Sequence, residues 1–179
     1  QAQAISSIRV ATDRLDRVIE LVGKLMVTYA VIAQGGATNM SQMASFDYVV
    51  IAPVRRGASS HGQLWTDQVS KDNSGLAMQD LLSAIDDISK EPYVDADRLG
   101  AVGASFGGFS VNWLAGNHEG RFKVFISHCG VFHEEMMYYT TEEMFFQHWE
   151  TGGAPWDKDN PVAMNSYAGS PHHVVQNWD

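Results

Sequence analysis

The amino-acid sequence predicts an α/β fold, a mainly parallel sheet flanked by helices, and three features carry the prediction. Apolar runs of strand length recur at residues 48–53, 98–103 and 122–127. Helix-compatible segments at 75–90 and 106–116 alternate with them, giving the strand–helix–strand order of a parallel sheet. At the junction between the second run and its helix stands Gly103-Ala104-Ser105-Phe106-Gly107. This is a G-x-S-x-G pattern whose meaning comes from its strand–turn–helix setting.

Taken in order, residues 13–26 read as an amphipathic helix. Leu15, Val18, Ile19, Val22, Leu25 and Met26 share one face, and Thr12 or Asp13 supplies the N-cap. Residues 27–34 fit either a continuation of that helix or a strand; β-branched enrichment and the following Gly35-Gly36 favour the strand. Residues 37–45 are small and polar, hence loop. The run Tyr48-Val49-Val50-Ile51-Ala52-Pro53 suits a strand buried on both faces, and residues 55–63 follow as a loop. Met78, Leu81, Leu82, Ile85 and Ile88 make the clearest helical stripe, with Asp72 or Ser74 to cap its start and Pro92 beyond its end. From Val131 onward Phe, Tyr, Met and Trp crowd together among acids, a segment suited to wall an apolar pocket or simply to pack over the sheet.

Length and charge exclude several classes of function. With 179 residues, 45% of them hydrophobic and 11% aromatic, the chain can bury a real core. A net charge of −9, with no basic run, argues against nucleic acid and anionic membranes as partners. No apolar stretch reaches the length of a membrane span. The segment Gln1–Ser7 lacks the basic and apolar regions of a signal peptide, and the missing initial Met reads as a processed or truncated chain. Cys129 is the single cysteine, which rules out an internal disulfide and a cysteine-built zinc site; after a strand it reads as a small core residue.

The chemistry concentrates at Ser105. In a nucleophile elbow the turn is so tight that positions two before and two after the serine scarcely admit a Cβ, hence Gly103 and Gly107. The serine is held in a strained conformation with Oγ lifted clear, and the N–H of Phe106 at the helix start points where an oxyanion would form. A glycine-rich turn that happens to hold a serine is the plain alternative. Other constellations are weaker. His133-Glu134-Glu135 is not H-E-x-x-H, because Met137 stands where the second His would be. His172 and His173 are neighbours that would face opposite ways in a strand, so no metal site and no cofactor is expected. Asp86 and Asp87 read as solvated surface, and Asp157 and Asp159 as a surface turn, with a catalytic acid as the alternative.

With these residues in view, the chain resembles the prolyl oligopeptidase family of serine peptidases, in particular bacterial dipeptidyl- and acylaminoacyl-type peptidases. The carrying residues are Tyr48–Pro53 with Arg55-Arg56-Gly57, Asp95–Gly100, and Gly103-Ala104-Ser105-Phe106-Gly107-Gly108. Ser127-His128-Cys129-Gly130, Ser170-Pro171 and Gln176–Asp179 extend the likeness, which runs from about residue 44 to 179. The resemblance implies an α/β-hydrolase-like fold, incomplete at the C-terminus, and acyl transfer on a peptide substrate. By it, Ser105 would be the nucleophile, Phe106 N–H one oxyanion donor, and Gly103, Gly107 and Gly108 the elbow. The neighbourhood of Gly35-Gly36 would supply a second donor. Tyr138, Tyr139, Phe145, Phe146 and Trp149 would line the substrate pocket. In the family the triad Asp and His follow the nucleophile beyond a further strand, and no histidine here stands in that context. The expectation is therefore a catalytic-domain fragment, inactive alone. Family peptidases of this type are often extracytoplasmic, which makes the periplasm or the extracellular space the expected compartment.

Residues 5–33 resemble the dimerisation region of chemotaxis sensor histidine kinases, through Ile8-Arg9-Val10, Leu15-Asp16, Leu21-Val22-Gly23 and Leu25. This divides the chain into a helical segment over 1–34 and a partial catalytic domain over 35–179. It also supplies a second reading, a non-catalytic self-associating module or chimera that forms a homodimer through the leading helix.

Overall fold

A computed structural model of the chain describes residues 26–30, 48–59 and 61–178. Four strands, β1 (Met26–Ala30), β2 (Val49–Ile51), β3 (Leu99–Ala104) and β4 (Val124–His128), form one sheet in the order β2-β1-β3-β4. Every pairing is parallel, with Met26 opposite both Val49 and Leu99, and Gly100 opposite Val124. The fold is the α/β-hydrolase-like arrangement expected, a parallel sheet flanked by helices. β1 settles part of the ambiguous segment as strand. The amphipathic helix over 13–26, the kinase-like likeness over 5–33 and the loop over 37–45 lie outside the described residues, apart from the stretch that forms β1.

Helices follow in chain order: α1 (Gln63–Asp67), α2 (Leu76–Ile88), α3 (Phe106–Asn117), α4 (Glu134–Thr140), α5 (Met144–Thr151) and α6 (Pro161–Ala168), then a 3-10 turn at Pro171–Asn177. In α2 the predicted stripe is the buried face: Met78, Leu81 and Ile85 are at most 1% exposed, with Leu82 and Ile88 packed beside them. The N-cap position is Gly75 rather than Asp72 or Ser74, although Asp72 Oδ2 accepts from the first helical amide, Leu76 N, at 3.1 Å. These side chains pack with Leu99, Ala101, Phe109, Val111, Leu114 and Phe122 into the main core. A smaller core of Tyr138, Ala154, Ala163 and Tyr167 lies under the aromatic segment. There Tyr167 OH donates to Gly153 O at 3.0 Å, and Thr151 Oγ1 lies 2.7 Å from Gln147 O.

Two local features differ from the sequence reading. The crowded segment after Val131 is a helix pair, α4 and α5, followed by α6, whose cap is Asn160: Oδ1 accepts from Val162 N and Ala163 N. Cys129 is exposed rather than in the core, because the chain turns sharply out of β4 with Cys129 at φ 48°.

Candidate active site

In an open parallel sheet, the crevice at the carboxyl ends of the strands, where the strand order reverses, is the place ligands reach. Here the chain passes from β1 to β2 on one side and returns to β3 on the other. Ser105 follows the last residue of β3 and precedes the first residue of α3, so the topology itself puts the serine there.

The turn at Ser105 has the strain the motif implies. Its backbone sits at φ 56°, ψ −120°, a conformation that costs a non-glycine residue about 1–3 kcal/mol, and the residue is exposed. Three contacts hold it there. Ser105 N donates to His128 O at 3.0 Å, tying the elbow to β4. A Cβ on Gly103 would stand 2.2 Å from Gly107 O, so the strand can meet the helix only with glycine at this position. Gly108 and Gly130 meet backbone to backbone, a Cβ on Gly108 falling 2.5 Å from Gly130 Cα. Phe106 N–H, first amide of α3, has no partner within the helix and makes no hydrogen bond among the described residues, the position an oxyanion donor would need. The Gly35-Gly36 donor region lies outside the described residues.

Beneath the turn, the Arg55 guanidinium packs 3.8 Å from the centre of the Phe106 ring. Arg55 is 4% exposed and its Nη2 has no hydrogen-bond partner among the described residues. Burial pulls it down to about 10, against the opposing pull of Glu150 and then Asp80, and it stays cationic at neutral pH. Glu150 in turn is raised by burial and lowered by Arg55. Asn73, with its amide oriented to suit its neighbours, donates to Glu150 Oε2 at 3.3 Å.

A cavity of about 190 Å³ opens beside Ser105. Phe106, Phe109, Val131, Met137 and Phe146 form its apolar walls, and Asn73, Glu134, Gln147 and Glu150 its polar part. Glu134 is 6% exposed, its carboxyl raised by burial and then by Glu150, with Gln147 Nε2 donating to Oε2 at 3.4 Å as the opposing influence.

The structure brings together Ser105, Phe106, the elbow glycines and, of the expected pocket residues, Phe146. It places the other four elsewhere. Tyr138 is 1% exposed in the smaller core, its hydroxyl bonded to His148 Nε2 at 2.5 Å. Tyr139, Phe145 and Trp149 are 60%, 75% and 51% exposed and do not line the cavity. Met137 belongs to the Met-rich segment expected to wall a pocket, whereas sequence reasoning passed over Glu134, one turn before it on α4, and Gln147 and Glu150 on one turn of α5. Their i, i+3 spacing was the available signal.

Each of the seven histidine side chains contacts a residue other than Ser105, although His128 stands beside it and accepts from Ser105 N through its carbonyl. His61 packs on Trp65, His118 accepts from Phe122 N, and His128 lies 3.8 Å from Cys129 Sγ. His133 stacks on His172, which contacts His173 and bonds Ser170 Oγ; His148 holds Tyr138. Among the described residues no group of three or more metal-ligating side chains forms, and no helix is long and apolar enough to cross a membrane.

Comparison with known proteins matches this geometry. A model of the prolyl oligopeptidase family matches residues 35–177. Dipeptidyl-peptidase 5 of Porphyromonas gingivalis is 57% identical over 141 residues, 79% of this chain and 21% of that protein. Dipeptidyl-peptidase 5 of Porphyromonas endodontalis is 50% identical over 137 residues, 76% of this chain and 20% of that protein. The chain thus spans about a fifth of the length of these curated relatives. Among solved structures, the uncomplexed acylaminoacyl peptidase of Pyrococcus horikoshii superposes with a TM-score of 0.75 at 24% identity, covering 88% of this chain and 26% of that one. A puromycin-hydrolyzing peptidase of Mycobacterium tuberculosis does so with a TM-score of 0.72 at 15% identity, covering 88% and 24%. At those identities the likeness is one of fold.

Proposed function

The chain belongs to the prolyl oligopeptidase family of serine peptidases, and from that premise we propose that it is the nucleophile-bearing part of a dipeptidyl-peptidase-type catalytic domain. Ser105 Oγ would attack the scissile carbonyl of a peptide while a base takes its proton. Phe106 N–H would meet the oxyanion of the tetrahedral intermediate. Its collapse breaks the C–N bond, the amine leaving with the proton from the base, and water then releases the acyl group. Following the names of the Porphyromonas relatives, that acyl group would be a dipeptide. The observation that carries the reading is the strained, exposed Ser105 at the sheet's switch point, with a cavity opening beside it. Among the described residues no histidine side chain hydrogen-bonds Ser105 Oγ, and in this reading the base and its acid partner come from other sequence of the protein or from a second subunit.

The test is reaction with a fluorophosphonate, read by intact mass on the parent and on S105A. A single slow adduct, absent from S105A, supports the reading, and a label on another residue refutes it. No adduct at any exposure, together with a concentration-dependent dimer, favours the self-associating module instead.

A further inference from the structure

Arg55 is poorly explained by stability alone. Its side chain is buried, yet Nη2 meets no acceptor among the described residues, and Nη1 reaches only its neighbour's carbonyl, Arg56 O. Glu150 and Asp80 act on it by charge. A buried cation so incompletely bonded is a weak stabiliser, and an apolar side chain of similar volume often serves a core as well or better. The loop after β2 nevertheless fixes it closely. Arg55 O accepts from Trp65 Nε1 at 2.9 Å and from Ala58 N at 3.1 Å, and a Cβ on Gly57 would fall 2.5 Å from Nη1. So held, the guanidinium lies 3.8 Å from the centre of the Phe106 ring. Phe106 thus joins two functions in one residue: its ring meets the cation, and its N–H is the first amide of α3.

Resting on Ser105 as the nucleophile, we propose that Arg55 is a positioning residue for acyl transfer: seated on the Phe106 ring, its guanidinium fixes the Phe106 amide where the oxyanion forms and adds positive potential there. A cation over a ring face, away from water, holds that ring in place. Its charge has the sign that favours a developing oxyanion, and it needs no reorganisation during the reaction. A methionine at the same position would fill the space and do neither.

The test is the rate at which an alkyl fluorophosphonate reacts with the chain. Ser105 Oγ bonds to phosphorus, fluoride leaves, the hydroxyl proton passes to water, and the phosphoryl oxygen takes the place of the oxyanion. Because R55M alone strands Glu150, the variant measured is R55M/E150Q, with E150Q as its reference and urea titration to establish that both are folded. Losing an oxyanion donor outright costs about 10²–10³ in rate, so displacing it should slow R55M/E150Q at least about tenfold relative to E150Q. The phosphorus NMR resonance of the Ser105 adduct should also move toward that of a phosphonylated serine peptide in water, which a change of stability would not cause. F106L should slow the reaction similarly, and adding it to R55M/E150Q should slow that variant no further, since both remove one contact. Equal rates with the label still on Ser105, or a slower reaction with an unmoved resonance, overturn the role of Arg55 and leave the nucleophile standing. Should R55M/E150Q not fold, F106L is read the same way against the parent. A label on a residue other than Ser105 overturns the nucleophile, and the role of Arg55 falls with it.

Discussion

Replacing Gly108 by Ala sets two physical effects against each other. Gly108 lies in the first turn of α3, where helix propensity alone favours Ala by about 1 kcal/mol. The structure says the opposite. The new Cβ would stand 2.5 Å from Gly130 Cα, 2.7 Å from Gly130 N and 2.9 Å from His128 O, all backbone atoms. Restoring ordinary contact means prising α3 from the end of β4 by roughly an ångström, an overpacking that costs about 1–3 kcal/mol. Two hydrogen bonds cross the same seam: Ser105 N to His128 O at 3.0 Å and Ser127 Oγ to Gly108 O at 3.1 Å. Each is worth about 1 kcal/mol. The net loss is about 3 kcal/mol, which lowers Tm by roughly 6–12 °C in a domain of this size. Urea titration followed by tryptophan fluorescence, beside a thermal melt, measures it. A G108A protein as stable as its parent would refute the close approach on which the elbow rests.

Three further predictions follow from the same site. Ser105→Gly relieves the φ 56° strain and should gain about 1 kcal/mol while losing the fluorophosphonate adduct; lower stability would count against strain at that residue. Arg55→Met leaves Glu150 half-buried beside no cation and should cost about 3 kcal/mol, most of it regained in R55M/E150Q; additive single and double losses by denaturant titration would argue against the coupling. Burial raises the Glu134 carboxyl above its ordinary 4.5, so across that interval the folded chain keeps a proton the unfolded chain has released. Its contribution is whole below about pH 4.5 and is lost as pH rises through the folded value. The stability advantage of E134Q over the parent should therefore grow as pH rises from about 4.5 in urea titrations, and a pH-independent difference would contradict the assignment.

Sequence periodicity reached the sheet and its main helix because each is a local pattern. The α2 stripe shows every buried side chain at 3-4 spacing, and the continuous apolar runs of β2 and β3 announce parallel strands. The elbow was legible for a different reason: Gly103 and Gly107 are required by a contact between near neighbours, so the requirement is written in adjacent letters. The pocket was not legible from composition. Tyr139, Phe145 and Trp149 look like pocket walls by side chain, yet helices α4 and α5 turn Met137, Phe146 and Glu150 to the cavity and leave those rings exposed. Arg55 entered only as part of the family likeness, because nothing in a loop sequence foretells that its guanidinium will lie under the ring of Phe106, fifty-one residues later. The Gly108–Gly130 approach is likewise long-range, and only the folded backbone reveals why both positions are glycine.

These long-range contacts explain how the strained serine survives in a chain of ordinary marginal stability. A cost of about 1–3 kcal/mol at Ser105 is a sizeable share of the roughly 5–15 kcal/mol that holds a domain together. It persists because relaxation is blocked on each side. Rotating the Ser105 backbone toward the helical region would take its N–H off His128 O, and the elbow cannot slide along β4 while Gly108 and Gly130 are seated together. The Arg55 guanidinium against the Phe106 ring resists displacement from below. The residue whose amide would meet an oxyanion in the proposed reaction is therefore also the one anchored to the cation, and Arg55 acts through Glu150 on the cavity beside Ser105. Neutralising that charge should disturb the proposed oxyanion donor and the cavity together, although Arg55 is not among the residues lining it.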